Sequence, residues 1–281
     1  MITKIAVLGA GTMGHGIAHA AIAGGYDTRM YDVSDAAVAR GRTAIEQIVL
    51  KGVELGKLST PDADGMLARL SATASLAEAL QDADLVIEAA PEKIEVKLAL
   101  FAQIEALAPA AAIIGSNTSA LSITELAGSL KAPARVAGMH FFNPVHKMKL
   151  VEIVQALESA PATLAAVEEV ARRMGKETVL VRESPGFITT RVNASIGNEA
   201  FYMLMEGVAS ARDIDKALKL GLNHPMGPFE LVDLVGLDTR LSILEYLHRS
   251  MGEKYRPCPL LAQYVRAGRL GRKVGKGVYD Y

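Results

Sequence analysis

Over roughly the first 180 residues, short apolar runs alternate with longer stretches of helical spacing. The runs, at residues 5–8, 28–31, 85–88, 112–115, 134–139, 150–154 and 178–181, are rich in Val and Ile and show little polar alternation. That pattern predicts strands buried on both faces, as in a parallel sheet with helices on each side. Residues 12–23, 93–107 and 163–174 have the spacing of covering helices. Residues 35 to about 65 are too long for one crossover helix, and Gly52, Gly56 and Pro61 break their spacing, which predicts a helical hairpin projecting from the sheet. At Pro185-Gly186 the pattern changes to helical spacing at 187–206, 211–219, 228–236, 239–249 and 260–267. The expected organisation is an α/β domain over residues 1–184 and an all-helical domain over 185–281.

Length agrees with two domains, since 281 residues exceed what one core usually organises. Half the residues are hydrophobic and 22% are charged, which excludes a disordered or low-complexity chain. Thirty Lys and Arg against 31 Asp and Glu leave a formal charge of −1. No whole-chain field therefore draws nucleic acid or an anionic membrane, and an anionic ligand must meet a local site. The single cysteine, Cys258, cannot form an intramolecular disulfide, and residues 1–14 lack the layout of a secretory signal, so the expected compartment is the cytoplasm. No apolar run approaches the ~18 residues that span a bilayer.

The first candidate chemistry lies at the very start. The run at 5–8 leads into Gly9-Ala-Gly11-Thr12-Met13-Gly14 and a helical stretch, and Asp32 closes the next run, 21 residues after Gly11. Such a turn needs glycines for its tight backbone and for close approach of a pyrophosphate, which then meets free amides at a helix N-terminus. Asp32 can accept hydrogen bonds from an adenosine ribose and would repel a 2′-phosphate, favouring NAD over NADP. Flavin fits the turn as well, but no second segment suited to it is evident.

Ligands of open α/β sheets sit beyond the carboxyl ends of the strands. The polar residues there are Glu92 and Lys97 after 85–88, Ser119 in Ser116-Asn-Thr-Ser119, and His140 and Asn143 in His140-Phe-Phe-Asn143, with Glu152 in the following run. Oxidising a secondary alcohol needs a base for its proton while hydride leaves the carbon, and a neutral His held by a carboxylate suits that task. His140 with Glu152 is the candidate pair, Ser119 a candidate donor to the reacting oxygen, and Asn143 and Lys97 candidate cofactor contacts. Each has a plainer reading: His140 beside two Phe as a core residue, Ser119 as a helix cap, Asn117 as a turn residue. Glu152 between Val151 and Ile153 is more telling, because a buried carboxylate needs a partner. A Ser-His-Glu hydrolase is the rival chemistry, but the GxSxG elbow is missing. His15, His19, His224 and His248 have no ligand-like grouping, so no metal is expected, and His146 reads as a loop residue.

From end to end the chain resembles the short bacterial L-3-hydroxyacyl-CoA dehydrogenases. The motifs that carry the resemblance are VLGAGTMGHGIA, MYDVS with Asp32, VIEAAPE, SNTSALSIT, GMHFFNPVHKMKLVEIV, SPGFITTRV, GLNHPMGPFELVDLVGLD and GRKVGKGVYDY. The resemblance implies NAD-dependent interconversion of a 3-hydroxyacyl-CoA thioester, such as 3-hydroxybutyryl-CoA, and its 3-oxoacyl-CoA. It also implies a Rossmann-type N-terminal domain with a protruding helical hairpin, and a helical C-terminal domain that forms a homodimer. Carried over, His140 matches the acid/base, Glu152 its orienting carboxylate, and Ser119 the residue bonding the substrate oxygen near the nicotinamide. Glu92, Lys97, Asn143 and Lys273 fall where relatives contact NAD, and Lys51 and Lys57 lie on the hairpin that meets CoA phosphates. One position departs: relatives usually have Asn where this chain has Thr190, with Asn193 one turn later. Activity is expected to persist, because the His-Glu pair and Ser119 supply proton transfer and positioning without it. A different hydroxy acid, 3-hydroxyadipyl-CoA or gulonate, and a non-catalytic dinucleotide-binding protein stand as alternatives.

Overall fold

Eight strands form one sheet: β1 (Lys4–Leu8), β2 (Asp27–Tyr31), β3 (Leu70–Thr73), β4 (Leu85–Glu88), β5 (Ile113–Ser116), β6 (Val136–Phe141), β7 (Leu150–Gln155) and β8 (Glu177–Arg182). Their spatial order is 3-2-1-4-5-6-7-8. All neighbours pair in parallel except β6 and β7. The computed structural model describes residues 1–281, and the chain divides into two compact units, Met1–Glu183 and Ser184–Tyr281.

The hydrophobic pattern predicts seven strands in a parallel sheet, and the structure differs in two respects. It adds β3, whose Leu-Ser-Ala-Thr needs only one deeply buried residue because it pairs solely with β2. It also runs β7 antiparallel to β6. Only residues 142–149 join those strands, too few for a parallel crossover of a dozen or more residues. Strands β4 and β6 are buried along their whole length, as their continuous apolar runs require.

Seven helices complete the first unit: α1 (Thr12–Ala23), α2 (Asp35–Glu54), α3 (Thr60–Ala68), α4 (Leu76–Leu80), α5 (Ile94–Leu107), α6 (Ile123–Gly128) and α7 (Pro161–Arg173). Helices α2 and α3 are the two arms of the expected hairpin. Ser34, Ser59, Ser75 and Ser122 cap α2, α3, α4 and α6, each accepting a hydrogen bond from an amide three residues on. Helix α1 has no such cap, because Gly11 stands at that position.

The second unit contains α8 (Thr189–Met205), α9 (Ala211–Gly221), α10 (Pro228–Val235), α11 (Leu237–Met251) and α12 (Pro259–Arg266). Its core gathers Phe201, Phe229, Leu244, Leu247, Tyr255 and Leu261, with Phe201 and Phe229 edge to face at 5.2 Å. The carboxylate of Asp233 accepts the amides of Val278 and Tyr279 and the hydroxyl of Tyr281. The tail motif at 275–281 is thus tied to α10, and a Cβ at Gly277 would stand 2.1 Å from Asp233 Oδ1. No helix is long and apolar enough to cross a membrane.

Candidate active site

The turn between β1 and α1 lies where the strand order reverses, the point at which doubly wound sheets bind ligands. Its three glycines do different work. Gly9 has φ +113°, and a Cβ there would stand 2.6 Å from the carbonyl oxygen of Ala89; one at Gly14 would stand 1.7 Å from the carbonyl oxygen of Gly9. A Cβ at Gly11 would meet nothing within 4 Å. Gly9 and Gly14 are demanded by the protein's own packing, whereas Gly11 opens onto space that a ligand can fill. The first turn of α1 holds no acidic residue and no side-chain cap, so its leading amides, from Thr12 and Met13 onward, are left to an external anion. These features fit the pyrophosphate of a dinucleotide. Asp32, at the tip of β2, accepts the amides of Ala10 and Val33, each at 2.8 Å. It therefore braces the turn as well as standing where a ribose would be recognised.

His140 and Glu152 are directly opposed across the β6–β7 pair, so their side chains share a face. His140 Nδ1 lies 2.7 Å from Glu152 Oε2. His140 is 4% exposed and Glu152 0%, and the ring of Phe142 lies 4.5 Å from that of His140. In the dry surroundings of a sheet buried on both faces, such a bond is strong, and it fixes both ring orientation and tautomer.

Loop 117–122, after β5, is held from two directions. Asn117 Oδ1 accepts the amide of Phe141, the residue next to His140. Glu92 Oε1 accepts the Thr118 hydroxyl and the amides of Ser119 and Ala120. Glu92 therefore stands beside the carboxyl ends of the strands, as expected, and also orders the loop that carries Ser119. Lys97 lies in the first turn of α5. The residue is 1% exposed, and its ammonium donates to Glu88 Oε1 at 2.6 Å and to the Ala90 carbonyl at 3.1 Å, with Glu92 Oε2 at 3.5 Å. A chain position just past a strand end gives no side-chain direction, so the pairing of Lys97 with Glu88 is not legible in the sequence.

Asn143 is exposed on the loop after β6. That loop is anchored by Lys176, whose buried ammonium donates to the carbonyls of Val145 and Met148; burial lowers its pKa. His19, on α1, has a ring Nδ1 with no partner. Burial, reinforced by His146, Lys176 and His15, lowers its pKa to about 4. Lys51 and Lys57 are exposed on the hairpin, where Lys51 pairs with Glu54. Lys273 belongs to the second unit, where it clamps both oxygens of Asp238. Thr190 and Asn193 are half-buried in the first turns of α8. Sequence reasoning missed Glu88 and Lys176 as site-forming residues. For Glu88 the signal was present: it ends an apolar strand, as Glu152 interrupts one.

A glycine turn at the switch of a doubly wound sheet, with a buried His-Glu pair on neighbouring strands, marks the dinucleotide-dependent oxidoreductases. The family profile for the 3-hydroxyacyl-CoA dehydrogenase NAD binding domain matches residues 4–184, and that for the C-terminal domain matches residues 186–281. The chain is 46% identical over 281 residues to a probable 3-hydroxybutyryl-CoA dehydrogenase of Bacillus subtilis, covering 100% of this chain and 98% of that protein. It is 44% identical to a 3-hydroxybutyryl-CoA dehydrogenase of Bradyrhizobium diazoefficiens, covering 100% and 96%. The crystal structure of (S)-3-hydroxybutyryl-CoA dehydrogenase from Ralstonia eutropha is 42% identical with a TM-score of 0.96, covering 100% of this chain and 99% of that one. The chain belongs to the 3-hydroxyacyl-CoA dehydrogenase family, and its first unit is the family's NAD-binding domain.

Proposed function

We propose that the chain interconverts a (3S)-3-hydroxyacyl-CoA of short chain, such as 3-hydroxybutyryl-CoA, and the corresponding 3-oxoacyl-CoA. NAD supplies the hydride acceptor; Gly11, the first amides of α1 and Asp32 are the groups that would hold it. With Nδ1 held by Glu152, proton exchange with the 3-hydroxyl falls to Nε2 of His140. Glu152 stabilises the imidazolium that forms and keeps the ring in the reactive tautomer. Ser119 donates a hydrogen bond to the substrate oxygen, and Asn143 lies on the loop that follows His140. The observation that carries this reading is the His140–Glu152 pair at 2.7 Å inside a buried sheet.

Support for a CoA thioester comes from the exposed Lys51 and Lys57 of the hairpin, cations of the kind that pair with phosphates. A homodimer through the second unit is part of the proposal, because Leu220, Leu222, Leu234 and Val192 are more than half exposed there. A cytoplasmic location accords with the buried free thiol of Cys258. The test is NADH absorbance in parallel with acetoacetyl-CoA, a 3-oxoadipyl-CoA, and gulonate with NAD. Turnover highest on acetoacetyl-CoA supports the proposal; faster turnover of either rival substrate reassigns it, and silence with all three removes it. Higher turnover in Thr190→Asn would show that the departure at this position is costly.

A further inference from the structure

We infer that Lys176 is a positioning residue for the cofactor: its buried ammonium fixes the connection 142–149, between the strands of His140 and Glu152, and with it the place of Asn143. The inference rests on the reading of Asn143 as a cofactor contact.

Lys176 stands between the end of α7 and the start of β8, next to Gly175, whose φ is +74°, and is 9% exposed. Its ammonium donates to the carbonyl of Val145 at 2.5 Å and to that of Met148 at 2.9 Å. Within the connection, the Pro144 carbonyl accepts the amides of Lys147 and Met148, both at 3.0 Å. Val145 is buried against α1, where a Cβ at Gly16 would stand 2.9 Å from its side chain. The turn is therefore closed on itself and seated on α1, and Lys176 binds it from the α7–β8 side. Asn143 is exposed, so its place follows from the backbone that carries it.

The ammonium does this without a counter-charge. Desolvation moves its pKa, downwards, and no carboxylate opposes it. The titratable side chains that face it, His19 on α1 and His146 on the connection, are basic as well. An apolar side chain of similar length would fill the space without burying a charge. What the ammonium adds is a pair of charge-assisted hydrogen bonds to two carbonyls of one turn, which hold that turn in a single geometry. The β6–β7 ladder keeps His140 and Glu152 opposed without help from Lys176, since Phe141 and Val151 pair between them and the connection. Loss of the ammonium therefore frees residues 143–148 and leaves the acid/base pair in place. The ordering of Asn143 must then be supplied when the cofactor binds, which weakens affinity more than turnover at saturation.

The test is a cycle of Lys176→Met, Asn143→Ala and the double variant, read by NADH titration, turnover and amide hydrogen exchange. In Lys176→Met the expected result is an NADH Kd about tenfold weaker, kcat at saturating NADH within about threefold of the parent, and exchange about tenfold faster at Lys147 and Met148 but not in β6 or β7. The double variant should bind NADH within about twofold of Asn143→Ala alone, because both changes remove the same contact. Should Lys176→Met not fold, Lys176→Gln keeps one amide donor and is expected to shift Kd and exchange in the same directions. An unchanged Kd in the folded variant overturns the inference, as do losses that multiply in the double variant or fast exchange spread through β6 and β7, which mark a structural role. If Asn143→Ala leaves the NADH Kd unchanged, the reading of Asn143 fails, and exchange in Lys176→Met separates the two failures: fast exchange at Lys147 and Met148 still shows that Lys176 holds the connection, and unchanged exchange shows that it does not.

Discussion

Replacing Glu152 by Gln isolates the charge of the carboxylate from its shape. The pair is directly opposed across β6 and β7, with Nδ1 and Oε2 2.7 Å apart. Gln keeps the volume and one oxygen that can accept the ring N–H; only the negative charge goes. When the ring takes up the substrate proton, its positive charge arises about 4 Å from that carboxylate, an interaction of roughly 4 kcal/mol at an effective dielectric constant near 20. The neutral hydrogen bond that Gln retains recovers about 1 kcal/mol, leaving a net loss of about 3 kcal/mol. At about 1.4 kcal/mol per factor of ten, kcat should fall by about 10²-fold or somewhat more. Because the variant no longer buries a charge, its Tm should be equal or higher. The assay is saturating turnover by NADH absorbance, with NADH affinity and Tm measured on the same samples. A fall in kcat of less than about fivefold, with fold and NADH affinity intact, would refute the electrostatic role given to Glu152.

Gly11→Ala should leave Tm unchanged or slightly raised, since nothing in the protein lies within 4 Å of the new Cβ, while weakening NADH at least about tenfold; fluorescence titration decides, and retained affinity removes the turn from the cofactor site. Gly14→Ala should instead cost stability outright, because its Cβ would stand 1.7 Å from a backbone oxygen. His19 should make the protein acid-sensitive. Its folded pKa is about 4, below the ordinary His value of 6.5, so between those pH values only the unfolded chain takes up the proton. Stability is then lost as pH falls through that window, by at most about 3 kcal/mol, and His19→Leu should flatten the decline of Tm; an unchanged slope counts against the assignment. Arg240 is 1% exposed with an unpartnered Nε, and burial lowers its pKa to about 10, so Arg240→Met should raise stability by about 1–3 kcal/mol in thermal melts, and a lower Tm would contradict this.

Local chemistry was legible where a residue's job is set by its immediate neighbours in the chain. The glycine turn reads directly, because backbone conformation and strand-turn-helix order are local properties. Glu152 reads as a buried carboxylate in need of a partner because apolar strand residues flank it. Direction and pairing were harder. A run such as Leu150–Gln155 looks the same whether its strand is parallel or antiparallel, although the short 142–149 connection excludes a parallel crossover. Strand β3, at the sheet edge, buries too little to announce itself. Lys97 shows the limit most clearly: its place in the chain is next to the site, yet its side chain turns inward to Glu88, and only three-dimensional packing reveals that.

Oxidation of a 3-hydroxyacyl thioester with His140 as acid/base is the activity proposed for this NAD-binding chain. The most direct measurement is acetoacetyl-CoA-dependent NADH oxidation by the parent and by His140→Gln, with NADH Kd determined for both. The expected result is turnover by the parent, a loss of about 10³-fold or more in the variant, and NADH affinity within about threefold. A parent that leaves NADH untouched, or a variant that retains near-parental turnover, would contradict it.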